Sequence, residues 1–122
     1  MTETLLRTEF PRDRGCAAAA RRAIETAAGD LLSGPALDDL KLVATELVDN
    51  AYLHGRGQIG LVLRRREDRL LLEVVDQGSG QAIKIREEAT EGGWGLRIVE
   101  QIADRWGAYE GTTHVWAEIP IG

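Results

Sequence analysis

Between residues 36 and 75 the apolar residues change their period. Within 36–53 they fall at Leu37, Leu40, Ala44, Leu47, Val48 and Ala51, the spacing of one stripe along a helix. Beyond Gly55 and Gly57 they alternate at Ile59, Leu61 and Leu63, then run together through Leu70, Leu71, Leu72, Val74 and Val75 on either side of Glu73. Strict alternation followed by a continuous apolar run reads as a hairpin, turned at Glu67-Asp68, whose second strand is buried on both faces near its end. A helix that leads straight into such a hairpin requires helices laid against a sheet.

The flanking segments agree with that requirement. Residues 1–11 end at Pro11 and read as a first edge strand. Residues 12–28 are rich in alanine and arginine, good helix formers, and stop at Gly29. Residues 96–106 carry Leu96, Val99, Ile102, Ala103 and Trp106 on a helical stripe, with Gly107 as terminator. A second hairpin follows, from 108–110 through a turn at Gly111 to Val115, Ala117 and Ile119 in alternation. The expected fold class is α+β: a two-layer α/β sandwich with a mixed, mostly antiparallel sheet covered on one face by helices. Neither repeat nor linker interrupts the chain, so 1–122 is expected to be one domain.

Charge and cysteine content narrow the function. A net charge of −5 argues against a dedicated nucleic-acid binder, which is ordinarily basic. A single cysteine, Cys16, excludes an intramolecular disulfide and a Cys-rich zinc site, and reads as a small packed residue. No apolar run reaches the roughly 18 residues that cross a bilayer, and the first residues do not read as a signal peptide. A cytoplasmic location is expected. Arg64, Arg65 and Arg66 read as a solvated strand end.

Three constellations carry candidate chemistry. Glu46, Asn50 and His54 stand at i, i+4 and i+8 and form one polar row beside the apolar stripe. A carboxylate and an amide oxygen on one face suit a hydrated Mg²⁺, although the same spacing describes a solvated helix face. His54 at the helix end is equally explained by the helix dipole. Asp76, Gly78 and Gly80 follow the buried strand directly; they either admit a ligand close to the backbone or simply make a turn. Gly92, Gly93 and Gly95 precede Leu96 at a helix start, where free N–H groups attract an anion, or else form a flexible cap. They match neither a P-loop nor a dinucleotide fingerprint.

Taken in order, E-x-x-x-N-A-x-x-H-G on a helix, D-x-G-x-G after a hairpin strand, G-G-x-G-L opening a helix and G-T-T before the last strand resemble the histidine-kinase-like ATPase superfamily. Within it the short chain resembles the anti-sigma factor serine kinases, over about residues 5–120. The resemblance implies ATP and Mg²⁺ as cofactors. It implies Asn50 as the Mg²⁺ ligand and Glu46 as general base. Asp76 would be the acceptor for the adenine amino group, with Gly78 and Gly80 beside the base. Gly93, Gly95 and Leu96 would lie near the phosphates, and Thr113, or Thr112 beside it, would help hold the adenine.

It further implies an ATP-binding anti-sigma regulatory factor with serine/threonine kinase activity. Its partners would be a sigma factor and an anti-anti-sigma antagonist carrying a phosphorylatable serine, with no direct nucleic acid and no membrane; a homodimer is compatible. Glu46 favours this enzyme. The short segment available as an ATP lid, 81–91, favours the alternative of a non-catalytic ATP-dependent protein-binding switch.

Overall fold

The computed structural model describes residues 2–77, 94–108 and 114–121, with 94–96 described by backbone alone. Eight elements follow one another: β1 (Thr2–Phe10), α1 (Cys16–Ala28), α2 (Pro35–His54), β2 (Ile59–Arg66), β3 (Arg69–Val75), α3 (Trp94–Ile102), β4 (Arg105–Ala108) and β5 (Val115–Pro120). The five strands make one sheet in the order β1-β2-β3-β5-β4, and every described neighbouring pair is antiparallel. The parallel component implied by a mixed sheet does not occur among them. As expected, β1 is an edge strand.

The three helices lie on one face of this sheet. Leu61 and Leu63 of β2, Leu70, Leu72 and Val74 of β3, and Val115, Ala117 and Ile119 of β5 point into the same core as Leu40, Val43, Ala44, Leu47 and Val48 of α2. α1 reaches it through Cys16, Ala20, Ile24 and Ala28, a row at four-residue spacing. Three of those four side chains are small, so α1 can pack closely on α2. Cys16 is indeed a packed core residue, and burial pushes its thiol above the usual range.

Helix boundaries follow local chemistry. α1 begins four residues later than its alanine and arginine content predicts, because 11–15 form a turn in which Asp13 Oδ1 accepts the Gly15 N–H at 2.8 Å. α2 opens on Pro35, whose missing N–H costs nothing in a first turn. Its last turn is held from outside: Arg12 donates to the Tyr52 carbonyl, and its guanidinium carbon lies 5.9 Å from the centre of the Tyr52 ring. A cation there satisfies an orphaned carbonyl and opposes the negative end of the helix dipole.

Two expectations are corrected. Residues 96–106 are not one helix: α3 ends at Ile102, and Arg105, Trp106 and Gly107 belong to β4. Trp106 pairs with Ala117 across the sheet, so it is a strand residue, and Gly107 lies under the Trp116 indole. Asp104 makes the break, donating its N–H to Glu118 O at 2.9 Å and accepting Arg69 Nη1 at 2.5 Å. Arg64 is not a solvated end either. It pairs with Glu73, whose side chain is only 7% exposed and whose second oxygen lies 2.6 Å from His114 Nε2. This polar cluster sits on the sheet face away from the helices.

Candidate functional site

α2 positions the first two candidate residues, and the structure separates their environments. Asn50 lies three residues beyond Leu47 and seven beyond Val43, so it prolongs a core-facing row and is buried. Its amide nitrogen is shielded from solvent and has no hydrogen-bond partner among the described residues. A buried amide left unpaired costs about 1–3 kcal/mol. In a native structure such a group is ordinarily completed by a water, an ion or a ligand. Either end of the carboxamide can face that ligand, since a half turn about its last torsion exchanges them.

Glu46, one turn earlier, is half-buried. Burial, and then the charge of Asp49, push its carboxyl above the ordinary glutamate value. Burial also raises Asp49, while Arg21 on α1 draws it back. Arg21 is placed by Nη1, which donates to Thr45 Oγ1 at 3.2 Å; Thr45 in turn donates to Lys41 O at 2.8 Å. Asp49 and Arg21 belong to this environment and escaped sequence reasoning, because Asp49 lies off the four-residue row and Arg21 lies on another helix. His54 is exposed in the last turn of α2, where the helix dipole alone accounts for it.

β3 delivers Asp76 to the end of α2. The strand ends at Val75, and Asp76 next to it lies with its carboxylate directly against the Cα of Gly55, the residue that ends α2. One step on, the Gln77 N–H donates to Arg56 O at 2.8 Å, and the Gln77 side chain lies over Gly57. Asn50 precedes Gly55 by five residues, about 7.5 Å of helix rise. The structure thus brings Asp76 to the end of α2, the helix whose C-terminal half carries Glu46 and Asn50. Gly95 and Leu96 fall in the first turn of α3, whose Val99 enters the same core. Gly78, Gly80, Gly93, Thr112 and Thr113, and the 81–91 segment, lie outside the described residues.

Sequence reasoning placed Gly55 after the helix and at the close of the E-x-x-x-N-A-x-x-H-G pattern, and gave it no role of its own. The adjoining His-Gly pair was visible, but nothing in the sequence showed that Asp76, twenty-one residues later, would need the space a side chain would fill.

An antiparallel sheet covered on one side by helices is the architecture of the histidine-kinase-like ATPase domains. The chain belongs to the histidine kinase-like ATPase domain family, whose pattern matches residues 10–119. That membership implies ATP binding. No curated protein gives a match to this chain. Among the described residues no helix is long and apolar enough to cross a membrane.

The residues present fit the nucleotide this family takes. Asp76 is acceptor-only when ionised, which suits the exocyclic amine of adenine and not the carbonyl of guanine. The orphaned amide of Asn50 suits a ligand that brings phosphates and their cation.

Proposed function

We propose that the protein is an ATP-binding anti-sigma regulatory factor of the cytoplasm that phosphorylates a serine on an antagonist protein, using Mg-ATP. In the same reading it sequesters a sigma factor until that antagonist competes. The observation that carries the enzymatic part is the Glu46 carboxyl: half-buried, raised by burial and by Asp49, and one turn from the buried Asn50 amide. A protein that merely binds nucleotide needs no such group there, whereas a base works best when its pKa is raised toward the working pH.

Mg-ATP supplies the transferable γ-phosphoryl and the cation that neutralises it. Asn50 would hold the cation through its amide oxygen, and Asp76 would accept the adenine amine. Glu46 takes the proton of the serine hydroxyl as that oxygen bonds to the γ-phosphorus and the bond to the β–γ bridging oxygen breaks. ADP and phosphoserine result. Little covalent work falls to the protein; positioning and charge do the rest.

A second reading, a non-catalytic switch that changes partners with nucleotide occupancy, is favoured by the shortness of the 81–91 segment. Two substitutions separate the readings. Glu46→Gln should bind ATP almost normally and transfer phosphate about 10²–10⁴-fold more slowly to an antagonist captured from native cytosol. Asn50→Ala should weaken Mg-ATP itself. If wild type and Glu46→Gln are equally inactive yet both retain an ATP-dependent partner, the switch reading holds. If Glu46→Gln transfers phosphate at the wild-type rate, Glu46 is not the base.

A further inference from the structure

Asp76 and Gln77 leave the sheet gripped by residues 55–57. The Asp76 carboxylate is seated so close to Gly55 that a Cβ built on this glycine would overlap it. The Gly55 backbone is extended, with φ −94° and ψ −162°, so nothing in its own conformation demands glycine. What excludes a side chain is the carboxylate, helped by Ala51 O at 2.8 Å from the same Cβ position. Gly57 repeats the arrangement: its Cβ would overlap the Gln77 side chain, and its φ of +68° lies in the left-handed region that glycine enters freely. The 2.8 Å bond from Gln77 N–H to Arg56 O ties the two runs between these contacts.

We propose that Gly55 is a specificity-determining positioning residue: by lacking a side chain it seats the Asp76 carboxylate, and so sets the preference for a base with an exocyclic amine over one with a carbonyl. The inference rests on the ATP-binding reading of the site and extends it to a residue that touches no nucleotide. Discrimination by a buried hydrogen bond depends on where the acceptor stands. An Asp76 carboxylate pushed aside by a methyl group no longer meets the amine, although it remains present and charged. The clasp also explains why α2 and β3 act together, since the helix bearing Glu46 and Asn50 ends on the same glycine that places Asp76.

The test compares ATP with inosine triphosphate, which differs at the base by a carbonyl in place of the amine. Calorimetric titration of wild type, Gly55→Ala and Asp76→Ala, each with Mg²⁺, reads the ratio of the two affinities. Gly55→Ala should lower the ATP preference at least about tenfold, toward the value of Asp76→Ala, with inosine triphosphate affinity little changed. A merely structural role would weaken both nucleotides together and preserve the ratio; that result overturns the proposal.

Thermal unfolding gives an independent reading, since Gly55→Ala should lower Tm clearly in the wild-type background and much less beside Asp76→Ala, which removes the overlapping carboxylate. If Gly55→Ala alone fails to fold, the double variant must recover a folded protein. Equal losses in both backgrounds, or an unfolded double variant, place the constraint at Ala51 and overturn the proposal. Wild type that binds neither nucleotide overturns the ATP-binding reading and this inference with it. Wild type that prefers ATP, with Gly55→Ala keeping the full preference, overturns this inference alone.

Discussion

Leu47 and Leu53 stand on the same helix and should respond very unequally to truncation. Leu47 is fully buried between α2 and the sheet, whereas Leu53 is 66% exposed in the last turn. Removing three carbons from Leu47 leaves a cavity in a close-packed core, which costs about 2.7–5 kcal/mol depending on how far its walls relax. Leu53→Ala creates no cavity and should change stability by no more than about 0.5 kcal/mol. Unfolding entropy of about 2.1 cal/mol/K per residue, over the 122 residues, amounts to about 0.26 kcal/mol/K. Leu47→Ala should therefore lower Tm by about 10–20 °C, and Leu53→Ala by about 2 °C or less. Calorimetry on both variants, with urea midpoints as a second measure, reads the difference. The site should follow: Leu47 shares the core-facing row of α2 with Asn50, so Leu47→Ala should also weaken ATP, while Leu53→Ala should not. Equal Tm values for the two variants would refute the placement of α2, and with it the inward position of Asn50.

Three other outcomes follow from the electrostatics. Because burial and Asp49 raise the Glu46 carboxyl, its ionised form costs folded stability above the folded pKa, and that cost vanishes below the ordinary glutamate value of about 4.5. Glu46→Gln should therefore raise Tm at pH 8, with the gain fading as pH falls through the carboxylate range; a gain independent of pH would contradict it. Glu73→Gln puts an amide donor where Arg64 or His114 now meets a carboxylate oxygen. The loss of one hydrogen bond to a charged group should cost about 1.5–3 kcal/mol in urea denaturation, and an unchanged midpoint would mean the cluster carries no stability. Asp76→Asn should weaken ATP and strengthen GTP, because the amide can donate to the guanine carbonyl; titration of both nucleotides checks the exchange.

Much of the fold was legible because its signals are local. The period change between α2 and β2 survives intact, and the two-residue turn at Glu67 and Asp68 follows from Arg66 pairing with Arg69. Trp106 misled because Val99, Ile102, Ala103 and Trp106 keep helical spacing, while the strand that claims it is formed by pairing with Ala117, a contact no local pattern displays. Arg64 was misread for the same reason: its partner Glu73 lies across a hairpin, and His114, the residue before β5, meets that carboxylate from 41 residues further along the chain. In the site, the residue types of Glu46, Asn50 and Asp76 were readable, but not their unequal burial. Asn50 looked like part of a polar row beside the stripe, and only the packing of α2 on the sheet turns it inward. Gly55 was hidden because a glycine after a helix already has a sufficient local reason.

The measurement that tests the ATP-site account most directly is a calorimetric titration of the intact protein with ATP, ADP and GTP in the presence of Mg²⁺. If Asp76 is the proposed acceptor of the exocyclic amine, ATP and ADP should both bind, and GTP should bind at least about tenfold more weakly, the worth of one hydrogen bond to a carboxylate. Equal affinity for ATP and GTP would remove Asp76 from its role, and an absence of any heat with ATP would contradict the nucleotide site itself.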